Sequence, residues 1–148
     1  VCLASRMTDF RFFRVENRGL DQFIAWQKSV ALAGDIILFT QRSGLSRHQW
    51  FCDQLRRAAL SVPSNIAEGY ERRGEKDTPR FYLIAMGSCA EAKTQLKVAV
   101  HAQLIGSSEA APLCDACDEV MRLLVVVVEV EIDTILLNDK NLAAQPQH

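Results

Sequence analysis

Apolar residues recur along this 148-residue chain at steps of three and four, the spacing that places them on one face of an α-helix. Four such segments are separated by short breaks. They predict helices over about residues 20–41, 46–69, 78–106 and 107–137. Short connections favour neighbouring helices that run in opposite directions. The pattern therefore predicts an all-α fold, an antiparallel up-down four-helix bundle.

The last segment carries two apolar stripes rather than one. The first stripe comprises Leu113, Cys117, Val120, Leu124 and Val127. The second stripe comprises Cys114, Met121, Val125, Val128, Ile132 and Ile135. A helix that is apolar on two sides is buried on two sides, whereas a four-helix monomer buries only one. The second stripe thus predicts a subunit interface, because an exposed patch of that size favours association.

One stretch of this segment, residues 125–132, has strong β propensity because it is rich in valine. We nevertheless predict a helix there. The run that follows Pro112 contains neither glycine nor proline and is far longer than a typical strand of about five or six residues.

The second segment is interrupted by Pro63, which removes a backbone N–H and is predicted to kink or end the regular helix. Gly69 is the expected stop. We expect Asn65 and Glu68 to satisfy backbone groups that the proline frees, a structural role preferred over a catalytic one.

Both ends of the chain differ from the bundle. Residues 1–18 precede the first periodic segment, and we predict a poorly ordered extension with Met7 as a candidate natural start. Its aromatic and arginine residues at 10–14 could also dock on a partner. Residues 19–138 are expected to form the bundle, and residues 139–148 a flexible tail.

The net charge is −1, but its distribution is uneven. Residues 1–106 carry a net charge of +5, and residues 107–139 carry −7. Two explanations stay open. Two solvated helix faces could attract each other, or the basic part could bind a polyanion.

No pattern in the chain indicates an enzyme, a cofactor or a metal site. Cys114 and Cys117 form a C-x-x-C, but there is no βαβ setting for redox chemistry and no second ligand pair for zinc. His48, His101 and His148 are scattered. Five cysteines without a signal peptide predict a reduced, cytoplasmic protein. The longest apolar run is too short to span a membrane.

Basic residues gather around the interrupted helix end. They are Arg56, Arg57, Arg72, Arg73, Lys76 and Arg80. Guanidinium groups bind phosphates well because their donors form a planar fork, and Tyr70 could stack on a base. The alternative is that neighbouring acids already pair with these residues, since residues 68–80 carry four basic and four acidic side chains.

The same region resembles the four-helix-bundle proteins encoded in intervening sequences of 23S ribosomal RNA genes. Accessory variability determinants of diversity-generating retroelements are relatives of that family. The most specific match is Ser61-Val-Pro-Ser-Asn-Ile-Ala-Glu-Gly-Tyr. Further matches are Trp26-Gln-Lys-Ser, Gln54-Leu-Arg-Arg-Ala-Ala, Arg80-Phe-Tyr-Leu-Ile-Ala-Met-Gly-Ser and Thr94-Gln-Leu. The chain departs from the family where Lys93 replaces an acid.

The resemblance implies an up-down four-helix bundle that assembles as a homopentamer. The retroelement relative binds nucleic acid and its reverse transcriptase through a basic surface of the pentamer. By position, Arg56, Arg57, Arg72 and Arg73 would contribute to it. The family motif itself contains Pro63, Asn65, Glu68 and Gly69. We therefore expect a non-enzymatic, self-associating protein that binds RNA or DNA. The alternative is a scaffold or accessory subunit that binds a protein partner and no nucleic acid.

Overall fold

The computed structural model describes residues 19–143, except for the side chains of Ser43 and Ala143, and this part of the chain is helical and has no strand. A 3-10 turn at Leu20–Gln22 comes first. It is followed by α1 (Ile24–Thr40), the single turn α2 (Ser43–Ser46), α3 (Gln49–Glu71), α4 (Thr78–His101) and α5 (Ser107–Ala143). The all-α prediction is confirmed. The predicted extension at residues 1–18, including Met7, and residues 144–148 of the predicted tail lie outside the described residues.

The chain enters α1 through a break that the periodicity does not indicate. Phe23 has an extended backbone (φ −80°, ψ 105°) and separates the 3-10 turn from α1. This backbone turns the Phe23 ring towards two tyrosines, with ring centroids 5.4 Å from Tyr70 and 6.4 Å from Tyr82. Tertiary packing of one aromatic ring thus accompanies a break in an otherwise helical pattern.

Helix α3 continues through Pro63 and Gly69 to Glu71, so of the two alternatives predicted at Pro63 the helix does not end there, and the predicted stop at Gly69 is wrong. A proline within a helix removes a single N–H donor and leaves the next turns free to continue. Val62 and Ile66, on either side of it, are completely buried, and this packing holds the helix together across the defect. Gly69 is also buried inside the helix rather than at its end.

The valine-rich stretch lies within α5, so the prediction of helix over strand is confirmed. α5 runs to Ala143, which is beyond the predicted end at residue 137 and inside the segment assigned to a flexible tail. α4 ends earlier than predicted, at His101, because the chain reverses at Gln103, which has a positive φ of 58°.

Each of the four long helices packs against two others. α3 contacts α1 and α4, and α5 contacts α4 and α1. The side chains at the centre of this arrangement are fully buried. They include Leu32, Ile36, Leu55, Val62, Ile66, Tyr82, Leu96, Val120 and Leu124. Within residues 19–143, no helix combines the length and the apolar character needed to cross a bilayer.

Candidate nucleic-acid-binding surface

Arg56 is occupied by contacts inside the bundle. Its Nε donates to Thr40 Oγ1 at 2.8 Å and its Nη2 to the Thr40 carbonyl oxygen at 3.5 Å, so it joins α3 to the last residue of α1. Its Nη1 pairs with Asp53 at 3.3 Å. A cation at a helix C-terminus stabilises the carbonyl groups that lack intrahelical partners. The side chain is only about a quarter exposed (26%), and it acts as a brace between two helices.

Arg57, the next residue, is different because it lies on the exposed side of α3. It has no hydrogen bond or ion pair with any residue in the part of the chain that the structure describes. Successive residues lie about 100° apart around a helix axis, so Arg56 contacts α1 while Arg57 is exposed.

Arg72 is neutralised by carboxylates of its own neighbourhood. Its Nε donates to Glu68 Oε1 at 2.5 Å, and its Nη1 lies 3.7 Å from Glu75 Oε2. The hydrogen bond to Glu68 raises the pKa of the guanidinium. The group also lies over the Phe81 ring, 5.3 Å from its centroid. The alternative read from the sequence, that neighbouring acids occupy the arginines, holds for this residue.

Arg73 is stacked but carries no acidic partner among the described residues. Its guanidinium carbon lies 4.5 Å from the centroid of the Tyr70 ring, and its Nη1 donates to the Tyr70 carbonyl oxygen at 3.0 Å. The side chain is exposed. The positive charge is therefore held in a fixed place without being neutralised.

The remaining two basic residues also differ from each other. Lys76 Nζ pairs with Asp139 Oδ2 on α5 at 3.2 Å. Arg80, in the first turn of α4, is exposed and has no side-chain partner within residues 19–143. The turn between α3 and α4 therefore presents two uncompensated guanidinium groups, those of Arg73 and Arg80.

The six predicted residues do not form a single patch on one subunit. Arg57 and Arg72 are fifteen positions apart in the same helix or at its end, which is about 22 Å along the axis at 1.5 Å per residue. Sequence proximity grouped these residues, but the continuous helix through Pro63 separates them. The part that stays together is the α3–α4 turn.

The family motif has a packing role in this structure. Asn65 Nδ2 donates to the Ser61 carbonyl oxygen at 2.8 Å and to Ser61 Oγ at 3.1 Å, and Ser61 Oγ lies 2.8 Å from Ser88 Oγ on α4. The polar side chains beside Pro63 thus link α3 to α4. Glu68 does not contact the backbone near the proline but pairs with Arg72.

Gly69 allows a close approach between the same two helices. A Cβ at this position would lie 2.8 Å from Cε1 of Tyr82, a distance that real Cβ atoms essentially never show. The Tyr82 ring, only 1% exposed, therefore occupies the place where any larger residue would have its side chain. The sequence signal is present, since a glycine inside an apolar helical pattern often marks a tight contact.

The four described cysteines, Cys52, Cys89, Cys114 and Cys117, lie in the bundle. Cys89 Sγ donates to the Cys117 carbonyl oxygen at 3.4 Å across α4 and α5, and both residues are completely buried. Burial raises the pKa of the half-buried Cys114 thiol. No group of three or more metal-binding side chains occurs among the described residues.

Two further features of the structure do not involve basic residues. Large apolar side chains are exposed on every long helix, and six of them lie on α5. These six are Val125, Val126, Ile132, Leu136, Leu137 and Leu142.

Glu131 is 8% exposed, and its Oε2 has no hydrogen-bond partner among the described residues. Its place could have been found, because it continues the buried series of Leu124 and Val128 at helical spacing.

Comparison with known proteins gives a consistent assignment. Residues 21–126 match the family model described as 23S rRNA-intervening sequence protein. A solved structure from Bacteroides thetaiotaomicron VPI-5482, described as a protein of unknown function from the S23 ribosomal protein family, is similar with a TM-score of 0.64. The two chains are 20% identical, and the match covers 70% of this chain and 97% of the other. At that identity the likeness shows the fold alone. No protein with curated annotation matches the chain.

Proposed function

Because the chain belongs to the 23S rRNA-intervening sequence protein family, we propose that it is a non-enzymatic, homo-oligomeric helical bundle that binds nucleic acid through the α3–α4 turn. The observation that carries the proposal is the uncompensated charge of Arg73 and Arg80 on this turn. Exposed guanidinium groups without carboxylate partners attract phosphates, which they contact through two parallel donors.

The proposal includes an antiparallel up-down arrangement of the four long helices. Contacts that α1 and the residues at its ends make with α3 and with α5 support it. Between α1 and α3, Phe23 meets Tyr70, while Thr40 meets Arg56. Between α1 and α5, Lys28 pairs with Glu119, and Arg42 pairs with Glu109. In both pairs of helices the residue numbers rise along one helix as they fall along the other.

Self-association is supported by the outer stripe of α5, which we define as Val125, Ile132 and Leu136. These three side chains are 42%, 42% and 53% exposed and follow one another at helical spacing. Val125 and Ile132 belong to the predicted second stripe, whereas Leu136 does not. The other members of that stripe are more buried, so the interface would differ from the one that the sequence indicates. We propose a homopentamer, in keeping with the resemblance of the sequence.

An oligomer would also compensate for the dispersed charge of one subunit. Closed ring symmetry repeats each surface feature once per subunit. Arg73 and Arg80 would then recur around the assembly, and several weak phosphate contacts would act together on one polynucleotide. In this proposal Arg57 contributes only where a neighbouring subunit brings it near the turn.

The binding test is fluorescence anisotropy with a structured RNA at low and high salt. We expect affinity that falls steeply with salt, because each neutralised phosphate releases counterions. The double substitution Arg73→Ala and Arg80→Ala should weaken binding strongly. The matched control is Arg47→Ala, which removes an exposed arginine near the other end of α3, about 33 Å away. Absence of binding at low salt, or equal losses in both variants, rejects the proposal.

The assembly test is light scattering on the variant carrying Ile132→Glu and Leu136→Glu. Glutamate keeps helix propensity while placing charge on the outer stripe. We expect a fall in subunit number, whereas Leu60→Glu on α3, a residue of similar exposure (49%), should leave it unchanged. An unchanged mass of the α5 variant contradicts the proposed interface.

A second function, a protein-binding scaffold, is favoured by the same exposed apolar side chains, since such surfaces commonly mark protein interfaces. It predicts a protein partner that stays bound after nuclease treatment and no affinity for RNA. We also propose a cytoplasmic location, supported by four free cysteines among the described residues.

A further inference from the structure

Two adjacent arginines on the α3–α4 turn have the same type of aromatic contact but different electrostatic surroundings. Arg72 lies over Phe81, and its guanidinium is bonded to Glu68 and Glu75. Arg73 lies over Tyr70 and bonds only to a neutral carbonyl oxygen among the described residues. Arg72 is therefore saturated, while Arg73 offers a charged, planar group to the outside.

The Tyr70 ring beneath Arg73 is held firmly. It packs against Phe23, with ring centroids 5.4 Å apart, and Phe23 in turn packs against the buried Tyr82. Aromatic pairs at such distances favour defined tilted geometries. The guanidinium is thus oriented by a ring on one face and by the bond from Nη1 to the Tyr70 carbonyl oxygen at 3.0 Å.

A guanidinium plane fixed on one face can stack a flat, apolar ring on the other. Nucleobases that are not paired stack on aromatic rings and on arginine planes, and proteins use both to bind single strands. Bases inside a duplex have their faces covered by neighbouring bases and cannot do so. The geometry of Arg73 therefore favours an unpaired base over a helical stem.

A phosphate contact is available on the same turn. Arg80 lies seven positions after Arg73, is exposed, and has no side-chain partner within the described residues. The intervening Lys76 is engaged with Asp139. One guanidinium can thus stack on a base while the other binds the backbone of the same strand.

We infer that the α3–α4 turn recognises an unpaired nucleotide, with Arg73 stacking on the base above Tyr70 and Arg80 binding a flanking phosphate. This inference rests on the proposed function and specifies its ligand as single-stranded nucleic acid. It makes Arg73 a base-contacting residue and gives Arg72 no part in binding.

The experiment measures anisotropy with four probes of equal phosphate number: a single-stranded RNA, the same sequence as DNA, an RNA duplex of half that length, and the RNA strand with abasic sites. We expect the single strands to bind best and the abasic strand about fivefold or more weakly, the lower end of what one stacked base contributes. The ratio of RNA to DNA affinity reports contacts with the 2′-hydroxyl, whereas the loss on the abasic strand tests stacking.

Charge-preserving variants separate stacking from electrostatic attraction. Arg73→Lys keeps the charge and removes the plane, so it should weaken binding to the single strand and leave the abasic strand unaffected. Arg72→Lys is the matched control and should change neither. Arg80→Ala should weaken both strands equally and reduce the magnitude of the salt dependence by about 0.7, the value for one phosphate contact with a single strand.

Outcomes distinguish this inference from the function on which it rests. Equal, salt-dependent affinity for all four probes supports nucleic-acid binding and overturns the stacking contact. A loss in Arg73→Lys that is the same for intact and abasic strands also overturns it. No binding of any probe at low salt overturns both.

Discussion

The two parts of α5 have similar apolar character, but only the first part buries its apolar side chains. From Ser107 to Glu131 the helix buries a regular series of side chains, among them Leu113, Cys117, Val120 and Leu124. From residue 132 to residue 142 it buries none, although Ile132, Leu136, Leu137 and Leu142 are equally apolar. The helix itself continues to Ala143, but the helices that pack against its first part do not extend along its last part.

The reason is that the neighbouring helices α3 and α4 do not extend as far as α5. α3 ends at Glu71 and α4 begins at Thr78, and Glu131 of α5 lies near Tyr82, which is in the second turn of α4. Beyond that level, the Lys76–Asp139 ion pair connects α5 to the turn between α3 and α4. Local sequence propensity favours the helix, but apolar side chains become buried only where other helices pack against them. The last part of α5 thus offers apolar side chains that the other described helices do not cover.

The largest expected difference between the two parts is in the cost of deleting a leucine. Leu124→Ala should lower the free energy of unfolding by about 3 kcal/mol or more, because Leu124 is completely buried and the substitution leaves a cavity. Leu136→Ala, at a 53% exposed site, should cost less than about 0.5 kcal/mol in the monomer.

Urea denaturation at several protein concentrations measures both costs. If α5 takes part in subunit contacts, the cost of Leu136→Ala increases with concentration, because association stabilises the folded state by mass action. Equal costs at high dilution contradict the division of α5 described above.

Glu131 lies at the boundary between the two parts of α5, and its replacement should change the free energy of unfolding. Its buried Oε2 lacks a hydrogen-bond partner among the described residues, and such a group is costly in an apolar surrounding. Glu131→Leu should therefore raise the free energy of unfolding by about 1 kcal/mol. The control, Glu129→Leu, changes an exposed residue two positions earlier and should have an effect within about 0.5 kcal/mol of zero. Destabilisation by Glu131→Leu alone would indicate a favourable role for the carboxylate.

A smaller effect is expected from the ion pair that ties the buried part of α5 to α4. Lys93 Nζ lies 2.5 Å from Asp118 Oδ1, and this bond lowers the pKa of Asp118 below its ordinary value of 3.8. A lowered pKa in the folded state means that stability is present above about pH 4 and is lost as the pH falls through the folded-state pKa.

Asp118→Asn should remove part of this acid dependence, which thermal unfolding between pH 2 and pH 6 can measure. The control is Asp115→Asn, an exposed residue on the same helix that forms no ion pair with any described residue. Identical pH profiles for the two variants would show that the Lys93 contact does not stabilise the fold. The replacement of a family acid by Lys93 would then have no electrostatic explanation in this bundle.

Sequence reasoning predicted the helices better than their ends. The periodic apolar pattern identified all four long helices, and it correctly favoured helix in the valine-rich stretch at residues 125–132. It missed the single turn α2 and placed the end of α3 at Gly69 rather than at Glu71, because both depend on contacts distant in sequence. Leu45 in α2 is 2% exposed, so that turn is held by packing rather than by its four-residue propensity.

The candidate site was predicted less well than the fold. The sequence indicated which residues are basic and that acids lie nearby. It could not assign each acid to a partner, since an ion pair depends on side-chain direction. Arg56 and Arg57 illustrate this, because one braces α1 and the other is exposed.

The sequence by itself determined the family and the helical class, because both depend on local information: a specific motif around Pro63 and an apolar repeat of three and four. The tertiary structure decided which arginines remain available, why Gly69 must be small, and where the core stops along α5. These depend on distances between residues far apart in the chain. The periodicity of one helix carries no information on how far its neighbours extend.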